Sequence, residues 1–289
     1  YYDKKLSGVQ GKTKGDKLQL PKDGEDVRLT IDRNIQAEAE RILKKLVEGY
    51  RATGGTVVVG EPKTGKILAM TNLPNFDPND YGQFPIKNFL NPAVQAVYEP
   101  GSVFKVITMA SGIDAGKITP ETSFYDTGSL VLNGRKIENW DLKAHGKVTM
   151  TNVLEQSINT GAAFAERTLG HDLFYDYLVK FGFKKKTGID LPGEILGSLT
   201  PLERNPREIN FATASFGQGV SVTPVGLITA VSAIANRGMM MRPYLNSDQG
   251  PKELGTIVSE DASRQVIGMM VSAVNRAQVA TVKGYTIAG

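Results

Sequence analysis

The stretch from Val103 to Ile113 reads VFKVITMASGI and has almost no polar face when wound as a helix. A helix that is apolar all round belongs in the middle of a core, with other elements covering every side. A chain of 289 residues can build such a core, as one large domain or as one domain with an appendage. Lys105 is the exception on this helix. Burial disfavours an ammonium, so a lysine here is pushed toward the neutral amine, which can act as a base. Ser102 lies three residues earlier on the same face, directly after Pro100-Gly101. The start of the helix favours negative charge as it develops at that serine. The S-x-x-K spacing therefore predicts a nucleophile and its base on one turn. A snorkelling lysine on a surface helix is the bland alternative, and it fits poorly with so apolar a sequence.

Composition narrows the chemistry. There is no cysteine, which removes thiol catalysis, zinc-thiolate sites and disulfides. The two histidines, His145 and His171, lie far apart in sequence and away from acidic pairs at ligand spacing, so no metal site and no cofactor is expected. A Ser-His-Asp triad stays open, since its members meet in space, but nothing local supports it. The net charge of +4 is mild and the longest basic run is Lys184-Lys185-Lys186, which does not point to nucleic acid. No apolar run approaches the ~20 residues needed to cross a bilayer.

Along the chain, residues 1–26 are polar and Gly/Lys-rich and read as an irregular lead-in. Val27, Leu29 and Ile31 alternate as in a strand. Asp32 then caps a helix whose apolar face is Ile35, Ala39, Ile42, Leu43, Leu46 and Tyr50. TVVVGEPKTGKILAMTNLP predicts a hairpin. A helix followed by a hairpin suggests an antiparallel sheet with helices packed on it. Residues 72–96 read as a long loop in which Tyr81, Phe84 and Phe89, like Trp140 further on, are core or loop anchors, with a groove lining as the other reading. Helices are expected over 103–115, 149–169 and 172–181, from the Thr223-Pro224 cap to Gly238, and from Ser259 onward. GEPKTGKI resembles a phosphate loop, but Ile67 stands where magnesium needs Ser or Thr, and a strand follows.

Fifty-five residues after Ser102 comes LEQSINTGAAFAER, with Ser157 and Asn159 at S-x-N spacing. A hydroxyl and an amide two apart, on a loop between helices, can face one cleft. Ser157 would relay a proton to the leaving group, and Asn159 would hold a substrate amide or the lysine. S-x-x-K followed by S-D-N is an ordered pair used by serine acyl-transfer enzymes, and here Ile158 stands at the middle place instead of Asp.

From about Val27 onward the chain resembles the transpeptidase domain of class B penicillin-binding proteins. The resemblance is carried by LTIDRNIQ, VVVGEPKTGKILAM, YEPGSVFKVIT, NTGAAF, FGFKKKTGIDLPGE, ATASFGQGVSVTP and VKGYTIAG. Asn139-Trp140 and FATASFGQGVSVTP look more like the division branch than the elongation branch. The resemblance implies an α+β fold of three layers (α/β/α), β-lactamase/transpeptidase-like, with a mainly antiparallel sheet between helical layers. It implies residues 1–26 as the remnant of a membrane-proximal pedestal and 27–289 as the transpeptidase domain, with an anchor helix upstream and an extracytoplasmic location at the cell membrane.

The implied reaction is acyl transfer on D-Ala-D-Ala stem peptides of peptidoglycan, with β-lactams acylating the same serine and membrane glycosyltransferase or divisome proteins as partners. Ser102 would attack, Lys105 would act as base, and the Ser102 N–H would supply half of an oxyanion hole. A hydrolase on the same fold, carboxypeptidase or β-lactamase, and a non-catalytic sensor module remain alternatives. The family's third motif, Lys-Thr-Gly, is expected after VKGYTIAG, which reads as the approach to a strand. The two triplets present, Lys63-Thr64-Gly65 and Lys186-Thr187-Gly188, occupy other family positions.

Overall fold

The computed structural model describes residues 2–14 and 17–289. The lead-in is less irregular than its composition suggests. A short helix, α1 (Asp3–Leu6), precedes a hairpin of β1 (Lys12–Lys14) and β2 (Lys17–Gln19). It leans on the body of the protein through Tyr2, whose hydroxyl donates to Asp190 at 2.6 Å, and through a 2.9 Å Lys5–Asp248 ion pair. The alternation of Val27, Leu29 and Ile31 does not become a strand. Leu29 makes one bridge to Asn246, and the segment is tied by single bonds from Thr30 N to Leu245 O and from Asp32 N to Leu68 O. On the 245–247 side a second bond, from Ser247 N to Arg28 O, completes the single bridge, and the pairing goes no further.

Helix α2 (Arg33–Tyr50) starts where the sequence places it, with the Asp32 side chain accepting from Asn34 and Ile35 N–H. Ala39 and Leu43 are buried, while Ile42, Leu46 and Tyr50 from the same apolar stripe are exposed. The hairpin follows as β3 (Gly55–Gly60) and β4 (Ile67–Leu73), antiparallel with Val58 opposite Met70. Its turn contains Lys63-Thr64-Gly65. Gly65 has φ +83°, and a Cβ there would lie 2.2 Å from Arg242 O, so this glycine answers to packing. Helix α2 lies along β4, while α3 (Pro92–Gln95) and the later helix Pro224–Ala235 pack on β3, which leaves the hairpin between helices. The loop before α3 carries Phe76, Tyr81 and Phe89, whose rings meet edge to face.

A 3-10 turn (Gly101–Phe104) leads into α4 (Lys105–Asp114), whose residues 105–113 are all buried. This is the central helix the sequence demands. Phe104, Ile107, Met109 and Ala110 sit in the main core with Phe174, Leu178, Ile234 and Val266.

A region not anticipated from the sequence comes next. β5 (Ser123–Asp126) pairs with β8 (Gly146–Thr149), and a hairpin of β6 (Ser129–Leu132) and β7 (Arg135–Glu138) is inserted between them. Its turn is Asn133-Gly134, both at positive φ, a pairing of residues that commonly closes two-residue hairpins. The helix expected over 149–169 is two helices, α5 (Met150–Glu155) and α6 (Asn159–Leu169). They are separated at Ser157, which takes φ +54°.

Helices α7 (His171–Lys180), α8 (Glu208–Ala214) and α9 (Pro224–Ala235) complete the middle of the chain, with Thr223 capping α9 through Gly226 N. β9 (Met239–Met241) pairs with β10 (Glu253–Thr256), and α10 (Glu260–Ala277) starts at its Ser259 cap. Residues 281–289 form no strand: Tyr285 N bonds to Val282 O, and Gly289 N reaches Met270 O, which ties this segment to α10 and not to a sheet edge. The architecture is α+β with antiparallel ladders, as expected. The ladders among the described residues are two-stranded.

Candidate active site

The site forms where the start of α4 meets the break between α5 and α6. Gly101, at φ +64°, turns the loop tightly enough to put Ser102 at the surface, while the next helical turn carries Lys105 inward to 1% exposure. Opposite, the α5–α6 break presents Ser157 and the first residue of α6, Asn159. Ile158 between them is fully buried and anchors the turn.

Four oxygens surround the Lys105 amine. Nζ lies 3.2 Å from Ser102 Oγ, 2.7 Å from Ser157 O, 3.0 Å from Ser157 Oγ and 2.9 Å from Asn159 Oδ1. The four residues singled out from the sequence, Ser102, Lys105, Ser157 and Asn159, thus lie together around one nitrogen. Among the described residues no carboxylate lies within ion-pair distance of Lys105. Burial therefore acts unopposed on the ammonium and lowers its pKa to about 7. A neutral amine has two N–H donors and one lone pair. It can donate to Ser157 O and Asn159 Oδ1 while the lone pair accepts the proton of Ser102 Oγ.

Each wall has its own support. On the Ser102 side, Gly101 N donates to Gly217 O at 3.1 Å, and Thr108 Oγ1 donates to Ser215 O at 2.7 Å. Gly217 has φ +77°, and a Cβ there would lie 2.3 Å from Gly101 O, so the backbones touch. On the other side, three successive residues hold the turn. Asn159 Nδ2 donates to Glu138 O at 2.9 Å, Thr160 N donates to Asn139 Oδ1 at 3.2 Å, and Trp140 Nε1 donates to Gln156 O at 3.0 Å. None of these supports was read as functional from the sequence. The Asn-Gly turn that delivers the 138–140 segment was its available signal.

Other candidates lie elsewhere. Thr187 of the second Lys-Thr-Gly triplet gives both its N–H and its hydroxyl to Glu194 at 2.6 Å, a structural tie. Trp140 is 70% exposed beside the Ser157 turn, not in the core. Both histidines are engaged with carboxylates, His145 from a loop and His171 at the start of α7. His145 pairs with Asp141 at 3.3 Å, and His171 bonds the buried Glu166 at 2.7 Å while stacking on Phe211. Among the described residues no group of His, Asp and Glu side chains is placed to hold a metal ion, and no helix is long and apolar enough to cross a membrane.

Residues 55–289 match the family described as the penicillin binding protein transpeptidase domain. Among curated relatives, stage V sporulation protein D of Bacillus subtilis (strain 168) is 36% identical over an alignment of 318 residues, covering 100% of this chain and 49% of that protein. A peptidoglycan D,D-transpeptidase FtsI homolog of Chlorokybus atmophyticus is 33% identical, over 78% of this chain and 36% of that protein. The chain thus spans half or less of the length of these relatives. The solved TP domain of Burkholderia pseudomallei penicillin-binding protein 3 superposes with a TM-score of 0.79 at 29% identity, over 90% of this chain and 75% of that one.

Proposed function

Because this chain belongs to the penicillin-binding protein transpeptidase domain family, we propose that it carries out serine acyl transfer as a peptidoglycan D,D-transpeptidase. Ser102 Oγ attacks the carbonyl between the two D-alanines of a stem peptide while Lys105 takes its proton. The tetrahedral intermediate collapses with loss of D-alanine, to which Ser157 relays the proton. An amine from a second stem then takes the acyl group and restores Ser102. Asn159 holds Lys105 and the substrate amide. A β-lactam opens its ring on the same serine and stays attached, because no leaving group departs. The observation that carries this reading is a buried lysine, its amine pulled to about 7, 3.2 Å from an exposed serine hydroxyl.

In this reading residues 27–289 are the catalytic domain and 1–26 the end of a membrane-proximal pedestal, on the extracytoplasmic face of a membrane-anchored protein. The relatives named for sporulation and as an FtsI homolog support the division branch, and in this reading a membrane glycosyltransferase and divisome proteins are the partners.

The test is covalent labelling. Incubation with a fluorescent penicillin yields one adduct, mapped by mass spectrometry to the peptide containing YEPGSVFK, and Ser102→Ala abolishes it. Labelling that persists in Ser102→Ala sinks the assignment. An adduct that decays within the time of mixing would instead mark a hydrolase.

A further inference from the structure

Behind the Ser157–Asn159 turn, on the side away from Lys105, lies a carboxylate that touches none of the four site residues. Asp126, at the end of β5, has no exposure to solvent. Its Oδ1 accepts from Thr160 Oγ1 at 2.6 Å and Gly128 N at 2.8 Å, and its Oδ2 accepts from Asn139 Nδ2 at 2.8 Å and His145 N at 2.9 Å. Two of those donors belong to the clamp on the turn. Thr160 follows Asn159 at the start of α6, and Asn139 receives the Thr160 N–H.

A buried carboxylate is costly unless every lone pair is used, and here four donors from four segments use them. Burial pushes the carboxyl up, but the bonds from Thr160, Gly128, His145 and Asn139 together outweigh it and hold the group below the usual carboxylate range. Among the described residues no cation lies within ion-pair distance of it. The charged groups nearby are otherwise engaged or turned away: the His145 ring pairs with Asp141, Arg167 pairs with Glu208 at 3.0 Å, and Lys147 stands opposite Tyr125 across the ladder. The turn it braces needs bracing, because Ser157 sits at φ +54°, where a residue with a side chain persists only if its surroundings hold it.

We propose that Asp126 is a positioning residue for acyl transfer, locking Thr160 and Asn139 so that the Ser157–Asn159 turn stays pressed against Lys105. The inference rests on the reading of Ser102 and Lys105 as nucleophile and base. The alternative is a hub that stabilises the fold and nothing more.

Asp126→Asn separates the two. The amide keeps the shape but offers half the acceptor sites, and its NH2 faces donors. With the turn loosened, water reaches Lys105 and its amine becomes harder to deprotonate. Penicillin acylation, normalised to the fraction of protein that can be labelled, should fall by ~10-fold or more at neutral pH. The midpoint of its pH profile should move up from about 7, so that the loss shrinks in alkali. Thr160→Val, which removes one donor and keeps the volume, should shift the profile the same way by less. Should Asp126→Asn fail to fold, Thr160→Val carries the test alone. A labellable fraction that drops while the rate per site and the midpoint stay at wild-type values means a purely structural hub, and overturns the proposal. Wild-type labelling that maps away from Ser102 overturns the parent reading instead.

Discussion

The Ser102 wall of the site is made largely by neighbours in sequence, and the Ser157–Asn159 wall by residues far from it. Ser102 and Lys105 are one helical turn apart, and the turn itself fixes their separation. Asn159, Thr160 and Gln156 are held by Glu138, Asp126 and Trp140, which are 16 to 34 positions away. The first wall is stiff because α4 is packed on every side. The second depends on polar contacts around a residue in a left-handed conformation. Damage to the first should therefore act through chemistry or through backbone clash. Damage to the second should act through geometry, and in smaller steps.

Lys105→Ala is the largest expected break. Among the described residues Lys105 is the group within reach of Ser102 Oγ that burial has brought to a useful pKa. Acylation should slow by ~10²–10⁴-fold, the usual worth of a general base. A loss below tenfold, measured by stopped-flow labelling, would assign the base to another group.

The pH dependence sharpens the same point. Below about 7 the Lys105 amine is protonated and has no lone pair, so acylation should climb with pH and level off above that value. Below the midpoint the expected slope is ~10-fold per pH unit, and the limb should vanish in Lys105→Ala. Stability follows with a definite sign. Folding lowers this lysine from 10.5 to about 7, so between those values the unfolded chain binds the extra proton. The Lys105 contribution to stability therefore grows as pH rises through that window and is flat below it. Denaturant titrations of wild type and Lys105→Met, compared across the window, should diverge in that direction.

Gly217→Ala tests the first wall from behind. The new Cβ would meet the Gly101 carbonyl at 2.3 Å at φ +77°, so the Ser102 turn must shift. Melting temperature should fall by about 2–4 °C for each kcal/mol of strain, with acylation dropping up to ~10²-fold. Gly101→Ala is the control. Its φ of +64° is equally left-handed, but no atom lies within 4 Å of the added carbon. It should cost about 1 kcal/mol and much less activity. Equal losses in the two variants would mean that the contact with Gly217 does not position Ser102.

The same contrast explains what could be read from the sequence. Asp32, Thr223 and Ser259 announce their helices because a cap is a local act between a side chain and the next turn. α4 announces its burial because VFKVITMASGI has no wet face. The strands Ser123–Asp126 and Gly146–Thr149 were invisible, since each is four residues long and finds its partner across an inserted hairpin. The break at Ser157 left no mark on the helical periodicity of 149–169, and only the S-x-N spacing pointed to a loop there. Serine is no helix breaker, and the turn exists because Ile158 is buried and the Glu138–Trp140 segment grips both sides of it. VKGYTIAG has the alternation of a strand, but alternation needs an edge to pair with, and the described residues offer it only a contact with α10.

Trp140→Phe is the smallest break and the most specific to the second wall. Trp140 gives one hydrogen bond to Gln156 O, and its ring is 70% exposed, so water competes for that carbonyl in the folded protein. A solvent-competed bond of this kind is worth about 0.5–1.5 kcal/mol net, and phenylalanine keeps most of the ring. The bond touches the turn one residue before Ser157, while the Glu138 and Asn139 contacts remain. Acylation should therefore fall by no more than ~2–10-fold, the rate equivalent of that energy, with little change in melting temperature. A loss as large as that of Lys105→Ala would mean that Trp140 meets the substrate directly. No loss at all would mean that Glu138 and Asn139 hold the turn without it.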